Sequence, residues 1–184
     1  FEKYQDKKGI GRWIFDHLGK SPVLMSSVNG ETRAKVATNL LHDYGYFNGS
    51  VSYKEVPQKN PKEAKVSYVI DMARPYFLDS IAYLKYPHYA DSLIQSTRSL
   101  SVLKSEENFS VIKLEEERQR LSNLFRNHGY YYYRPEFTTY RADTLQKSGY
   151  VSLQVVPRNG IPAEAKKQYY IGNTSVYLTG YNDE

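Results

Sequence analysis

Two stretches of the chain carry apolar residues at helical spacing and then stop on a glycine followed by aromatics. In the first, Ala34, Ala37, Leu40, Leu41 and Tyr44 form one stripe. Gly45 follows, where helices commonly turn into the left-handed backbone that glycine adopts without strain. In the second, Leu114, Leu121, Leu124 and Phe125 form the stripe and Gly129 ends it. Each glycine leads into alternation of period two. Val51 and Tyr53 alternate with Ser52 and Lys54, Gln58–Pro61 is a polar turn, and Val66, Tyr68 and Ile70 alternate again. Beyond Gly129, Tyr131, Tyr133 and Phe137 are expected on one face of a strand. Pro135 within it marks an edge, because proline has no N–H for a ladder. Val151, Leu153 and Val155 predict another strand, as does Phe77–Leu84. Tyr89–Leu103, with Leu93, Ile94, Leu100 and Leu103, reads as a helix.

These elements repeat. Gly45 and Gly129 lie 84 residues apart, and Tyr76 and Tyr169, in the similar runs PYFLDSIAYL and QYYIGNTSVYL, lie 93 apart. A period this long exceeds a solenoid unit and predicts copies of a small domain. One complete copy reads strand–helix–helix–strand–strand from Arg74 to Pro157. The first copy has no clear opening strand; Ile10–Leu18, with Trp13, Ile14 and Leu18, supplies its first helix. Tyr169–Leu178 reads as the opening strand of a third copy. The expected division is 1–73, 74–160 and 161–184. The expected fold class is α/β (α+β), each unit a three-stranded mixed sheet with two helices on one face.

Composition narrows the function classes. Charged residues make up 24%, ordinary for a globular chain and contrary to disorder. The hydrophobic fraction of 40% is unusually aromatic, with 19 Tyr. A net charge of +5, spread along the chain, does not demand nucleic acid. No apolar run approaches the length of a membrane helix. With no cysteine there is no disulfide, thiolate metal site or cysteine nucleophile. Beginning at Phe1 without a leader pattern, the chain reads as a piece of something longer.

Candidate chemistry is sparse. His17, His42, His88 and His128 lack metal-site spacing, and His88 with Asp91 makes only two ligands. Gly9-Ile10-Gly11 has no preceding strand and reads as a hinge. There is no nucleophile-elbow serine. Asp143 reads as a turn-forming acid, and Glu115–Glu117 as a solvated helix start, with Glu116 placed to pair with Arg120. No enzyme, metal or cofactor is expected.

The order strand–helix–helix–strand–strand, with Gly45-Tyr46-Phe47, Gly129-Tyr130-Tyr131 and Tyr76-x-Leu78-x-x-Ile81, resembles the POTRA domain. Such domains stand in tandem before the β-barrel of outer-membrane assembly factors of the BamA/TamA type. The run LEEERQRLSNLFRNHGYYYY, followed by Ala142-Asp143-Thr144, is similar to the form seen in Bacteroidetes members. The resemblance implies a periplasmic scaffold serving a parent β-barrel in the outer membrane. Its implied partners are unfolded outer-membrane proteins and accessory assembly subunits, not nucleic acid. Clients would bind by β-augmentation, adding a strand to an exposed edge. The candidate edges are Val51–Val56, with Val51, Ser52, Tyr53, Lys54 and Glu55, and Tyr131–Thr139, with Tyr131, Tyr132, Tyr133 and Phe137. Lys54 is placed to guard the first edge against self-association. Two alternatives stay open: a module of a transporter that secretes one dedicated substrate, and an RNA-binding α/β module in which Tyr130–Tyr133, with Arg126 and Arg134, stack bases.

Overall fold

A computed structural model describes Leu24, residues 27–60 and residues 63–177. The expected helix Ile10–Leu18, the pair Gly9 and Gly11, His17 and Leu178 lie outside the described residues. The chain divides into two compact units, Phe1–Leu40 with Ser50–Asp71, and Leu41–Gly49 with Met72–Glu184.

In the first unit, helix α1 (Gly30–Asp43, its residues up to Leu40) starts at Asn29, whose Oδ1 accepts the Thr32 N–H at 2.9 Å. That bond satisfies one of the donors a helix N-terminus leaves over. Strands β1 (Ser50–Pro57) and β2 (Ala64–Asp71) pair antiparallel from Ser50 opposite Asp71 to Pro57 opposite Ala64. The two strands remain largely exposed, with Ile70 at 59% and Val69 at 52%. Of the expected α1 stripe, Ala34 is buried while Leu40 is 54% exposed.

The second unit follows the expected order. Strand β3 (Phe77–Tyr83) leads to α2 (His88–Ser96), a 3-10 turn (Arg98–Leu100) and α3 (Val111–Asn127). After a second 3-10 turn (Pro135–Phe137) come β4 (Thr138–Asp143) and β5 (Tyr150–Pro157). The sheet order is β3-β5-β4, with β3 parallel and β4 antiparallel to the central β5. Alternation along β5 sends Val151, Leu153 and Val155 into one core with Leu78 of β3, Ala90 and Ile94 of α2, and Leu121 and Phe125 of α3. Burying such side chains drives the packing, at about 1.5–3 kcal/mol each.

Helix α2 is shorter than the expected Tyr89–Leu103. Thr97 ends it by donating its Oγ1–H to the Leu93 carbonyl at 2.9 Å, competing with the helix ladder. Leu100 is then 67% exposed while Leu103 returns to the core.

The repeat is visible in the backbone itself. Tyr44, Gly45, Tyr46 and Gly49 donate their N–H groups to Leu41, His42, Leu41 and Tyr46. His128, Gly129, Tyr130 and Tyr133 donate to Phe125, Arg126, Phe125 and Tyr130, the same four bonds 84 residues later. Gly45 and Gly129 hold φ of +88° and +91°, left-handed backbone that closes the helix end. Each glycine carbonyl then accepts a tyrosine N–H, Tyr76 to Gly45 at 2.9 Å and Tyr169 to Gly129 at 2.8 Å. The first of these bonds, with Phe47 packed on Tyr76 and Phe109 at 5.1 and 5.0 Å, accounts for Leu41–Gly49 grouping with the second unit.

Candidate functional site

The outer edge of β1 is set by its pairing with β2 on the other side. Val51 donates its N–H to Thr38 Oγ1 of α1 at 2.9 Å, so this amide points away from β2. Backbone direction alternates along a strand, so Tyr53 and Glu55 also turn their N–H and C=O outward. Pro57 falls in the same phase, where its missing N–H costs no ladder bond. Ser52, Lys54 and Val56 turn inward to Val69, Ser67 and Lys65. Among the described residues the edge therefore offers two amide donors, Tyr53 and Glu55, with Val51 already engaged.

Beside this edge, α1 and β1 enclose a groove of about 410 Å³ whose lining includes Ala34, Lys35, Thr38, Val51 and Tyr53. The Tyr53 ring lies so close over Gly30 that a Cβ there would stand 2.5 Å from it. Glycine at the start of α1 is what lets the ring cover the helix. At the groove's lip Lys35 pairs with Glu31 at 2.7 Å. The hydrogen bond and charge of Lys35 hold the Glu31 carboxyl below its ordinary value, and Glu31 raises Lys35 in return. Both are exposed, so the pair contributes little to stability. Lys54 and Glu55 are exposed, and Tyr53 is 36% exposed.

The second expected edge is corrected. Tyr131, Tyr132, Tyr133 and Phe137 do not form a strand; of Tyr131–Thr139 only Thr138 and Thr139 belong to β4. The chain between is wound by turns, Tyr133 N–H to Tyr130 and Phe137 N–H to Arg134, after the left-handed Gly129. Pro135 opens a 3-10 turn, where its fixed φ is favourable and its absent N–H costs nothing, so it marks a turn and not an edge. Tyr133 is a core residue, 8% exposed, with its ring 4.6 Å from Phe125 and its hydroxyl 3.2 Å from Thr138 Oγ1. Burial pushes its phenol up to about 12. Phe137 is half-buried, 5.6 Å from Tyr133. Tyr131 and Tyr132 stay on the surface, Tyr131 under the Arg126 guanidinium at 5.9 Å and Tyr132 edge-on to Tyr169 at 5.1 Å.

The acidic triplet is corrected as well. Glu115 and Glu116 are exposed, but Glu117 is fully buried, and it is Glu117 that pairs with Arg120. Arg120 donates to both carboxylate oxygens, at 2.6 and 3.0 Å. Tyr83 donates its hydroxyl at 2.5 Å and Val102 its N–H at 3.1 Å. The buried charge is thus surrounded by donors, the condition under which it is tolerated. Burial, then the bond to Glu117, pushes the Tyr83 phenol up to about 12. Burial works against the Arg120 charge, and the carboxylate of Glu117 more than offsets it. The sequence carried the signal: Leu114, Glu117, Leu121 and Phe125 share helical spacing, so Glu117 sits on the apolar stripe.

The remaining candidates have local roles. His42 Nε2 lies 3.2 Å from the Gly49 carbonyl and His128 Nδ1 2.8 Å from that of Leu124. His88 Nδ1 lies 3.2 Å from Ser92 Oγ. Asp143 accepts from the Leu145 N–H at 2.9 Å and from Gln146 at 2.7 Å, bonds that hold its carboxyl below the ordinary value and shape the β4–β5 turn. Among the described residues no group of three metal-ligating side chains converges, and no helix is long and apolar enough to cross a membrane.

No family model and no curated protein matches the chain. Among solved structures it is similar to POTRA3-5 of BamA from Haemophilus influenzae, with 12% identity and a TM-score of 0.39 over 70% of this chain and 47% of that one. It is also similar to BamA from Haemophilus ducreyi lacking POTRA domains 1-3, with 14% identity and a TM-score of 0.46 over 83% of this chain and 27% of that one. A third is the N-terminal domain of Omp85 from Thermosynechococcus elongatus, with 16% identity and a TM-score of 0.30 over 79% of this chain and 56% of that one. The chain thus spans less than two thirds of each. At these values the likenesses carry no residue roles across.

Proposed function

We propose that the chain is a non-enzymatic POTRA-type scaffold, the periplasmic part of an outer-membrane protein. Its task is to receive extended segments of unfolded outer-membrane proteins and pass them to a β-barrel. The observation that carries this reading is the outer edge of β1: an outward-facing row of backbone groups running beside the groove against α1. Main-chain hydrogen bonds at such an edge accept strands of many sequences, and the groove takes the side chains that point toward α1. The β3-β5-β4 sheet with its two helices, and the glycine corner that hands the chain to the next tyrosine, support the same reading. Binding at Tyr53 and Glu55, while Val51 is held by Thr38, fits a weak and reversible hold on a client.

The test is an NMR titration of the labelled chain with a peptide of alternating apolar and polar residues. Amide shifts are expected at Val51–Val56. Glu55→Pro removes one outward donor without a ladder bond, and is expected to weaken binding about 2- to 10-fold, the worth of one hydrogen bond. Thr38→Val releases the Val51 N–H and is expected to tighten it by a similar factor. Shifts confined to other segments, or equal affinity for all three proteins, overturn the reading.

A further inference from the structure

The second unit holds a cavity of about 300 Å³ at the end of its helices. That volume is at the lower end of ordinary small-molecule sites. Its walls are aromatic, with Tyr86, Tyr89, Tyr130, Tyr133 and Phe125 among them. Tyr89 lies flat on Tyr130 at 4.9 Å and 12°, a stacked pair in the cavity wall. Tyr86 turns its hydroxyl inward, toward Thr138 and the phenol of Tyr133, where burial pushes its phenol up.

The charged side chains that line this cavity, among the described residues, are of one sign. Lys85, Arg158 and Lys166 line it, all exposed, and no carboxylate does. The N-terminus of the nine-residue helix α2 also borders it, through Tyr89 and Ala90. Pro87 is the N-cap and no side chain caps this end, so first-turn N–H groups are left over, with Asp91 the acidic residue of that turn. Lys85 is held at φ +64°, a left-handed backbone that a lysine adopts at a cost.

We propose that this cavity binds a small amphiphilic anion, one with a flat aromatic body and a single carboxylate. The body stacks among the tyrosine walls and the carboxylate faces Arg158, Lys166 and Lys85. A neutral ligand of the same shape forfeits the charge-assisted hydrogen bonds, and a cationic one is repelled. This site is separate from the β1 edge and does not depend on what that edge binds.

The probe is 2-naphthoate, titrated into the whole labelled chain, with 2-naphthamide as its uncharged counterpart. Naphthoate is expected to shift amides in Lys85–Ala90 and Arg158–Lys166 and to bind at least about tenfold more tightly than the amide, the worth of one charge-assisted bond. The double variant Arg158→Gln with Lys166→Gln changes two exposed side chains and is expected to weaken naphthoate at least about tenfold while leaving naphthamide unchanged. Ile161→Trp, which fills the cavity, is expected to abolish both. Equal binding of the two probes, an unaffected double variant, or shifts elsewhere in the chain overturns the proposal.

Discussion

The two helix–glycine corners share their hydrogen bonds, yet the helices that run into them bury different things. At Gly45 and at Gly129 the same four N–H groups bond the same relative carbonyls, and both glycines hold nearly the same φ. In the first unit α1 buries Gly30 and Ala34, and leaves Val36 and Leu40 61% and 54% exposed. Helix α3 buries Leu121, Ser122 and Phe125, and the charge of Glu117. The corner is a backbone device: it needs a residue free to adopt positive φ and a carbonyl five residues back, and nothing from the stripe. The core is a side-chain device and depends on which strands and helices cover the stripe. A duplicated sequence therefore keeps its corners more faithfully than its interior.

The largest expected effect breaks the comparison on the α3 side, where α1 has no counterpart. Glu117→Ala strands Arg120, whose side chain is 16% exposed, and removes the acceptor of Tyr83 and Val102. Breaking one partner of such a pair is expected to cost about 3–5 kcal/mol in a denaturant melt. Glu117→Leu combined with Arg120→Leu is expected to recover most of that, because an apolar pair of similar volume needs no desolvation of charge. A Glu117→Ala loss below about 1 kcal/mol is the value of a surface pair and would place the carboxylate in solvent.

What was legible in the sequence follows the same line. Period-two alternation placed β1, β2 and β5, and helical spacing with a terminal glycine placed α1 and α3, because these signals are local. Tyr131–Phe137 misled because a tyrosine in a turn and a tyrosine in a strand look alike; the deciding event is the turn that begins at Gly129 and tightens at Pro135. Glu117 misled because it stands in an acidic run, and residue type outweighed its position on the stripe. In the candidate site, alternation placed Val51–Val56 in a strand, and only the resemblance made that strand an edge. The engagement of Val51 by Thr38 was not visible, because it joins a helix to a strand 13 residues away and leaves no periodic trace.

A smaller effect separates the corners themselves. Gly45→Ala and Gly129→Ala each force an L residue to positive φ, about 1–2 kcal/mol. A Cβ at Gly45 would also stand 2.8 Å from the Phe109 carbonyl oxygen, a backbone atom that cannot swing away. At Gly129 the nearest contact is 3.2 Å, to the Tyr169 carbonyl. Gly45→Ala is therefore expected to be the more destabilising of the two by denaturant melt. The reverse order would mean that the first corner is the looser one.

The smallest effect comes from another left-handed position, one that carries no glycine. Lys85 holds φ +64° between β3 and α2. Lys85→Gly removes a strain of about 1–2 kcal/mol. Against this, glycine gives the unfolded chain more freedom, about 0.4–1 kcal/mol. The balance is a gain of up to about 1.6 kcal/mol, a rise of a few degrees in Tm. Lys85→Ala keeps the strain and loses the same charge, so it is expected to leave Tm unchanged. Equal behaviour of the two variants would show that the charge, not the backbone, governs this position. A rise with glycine alone would show that the chain tolerates at Lys85 a strain that it avoids at Gly45 and Gly129. Of the three positions, only Lys85 lines the tyrosine-walled cavity, where a cation facing a carboxylate would repay that strain.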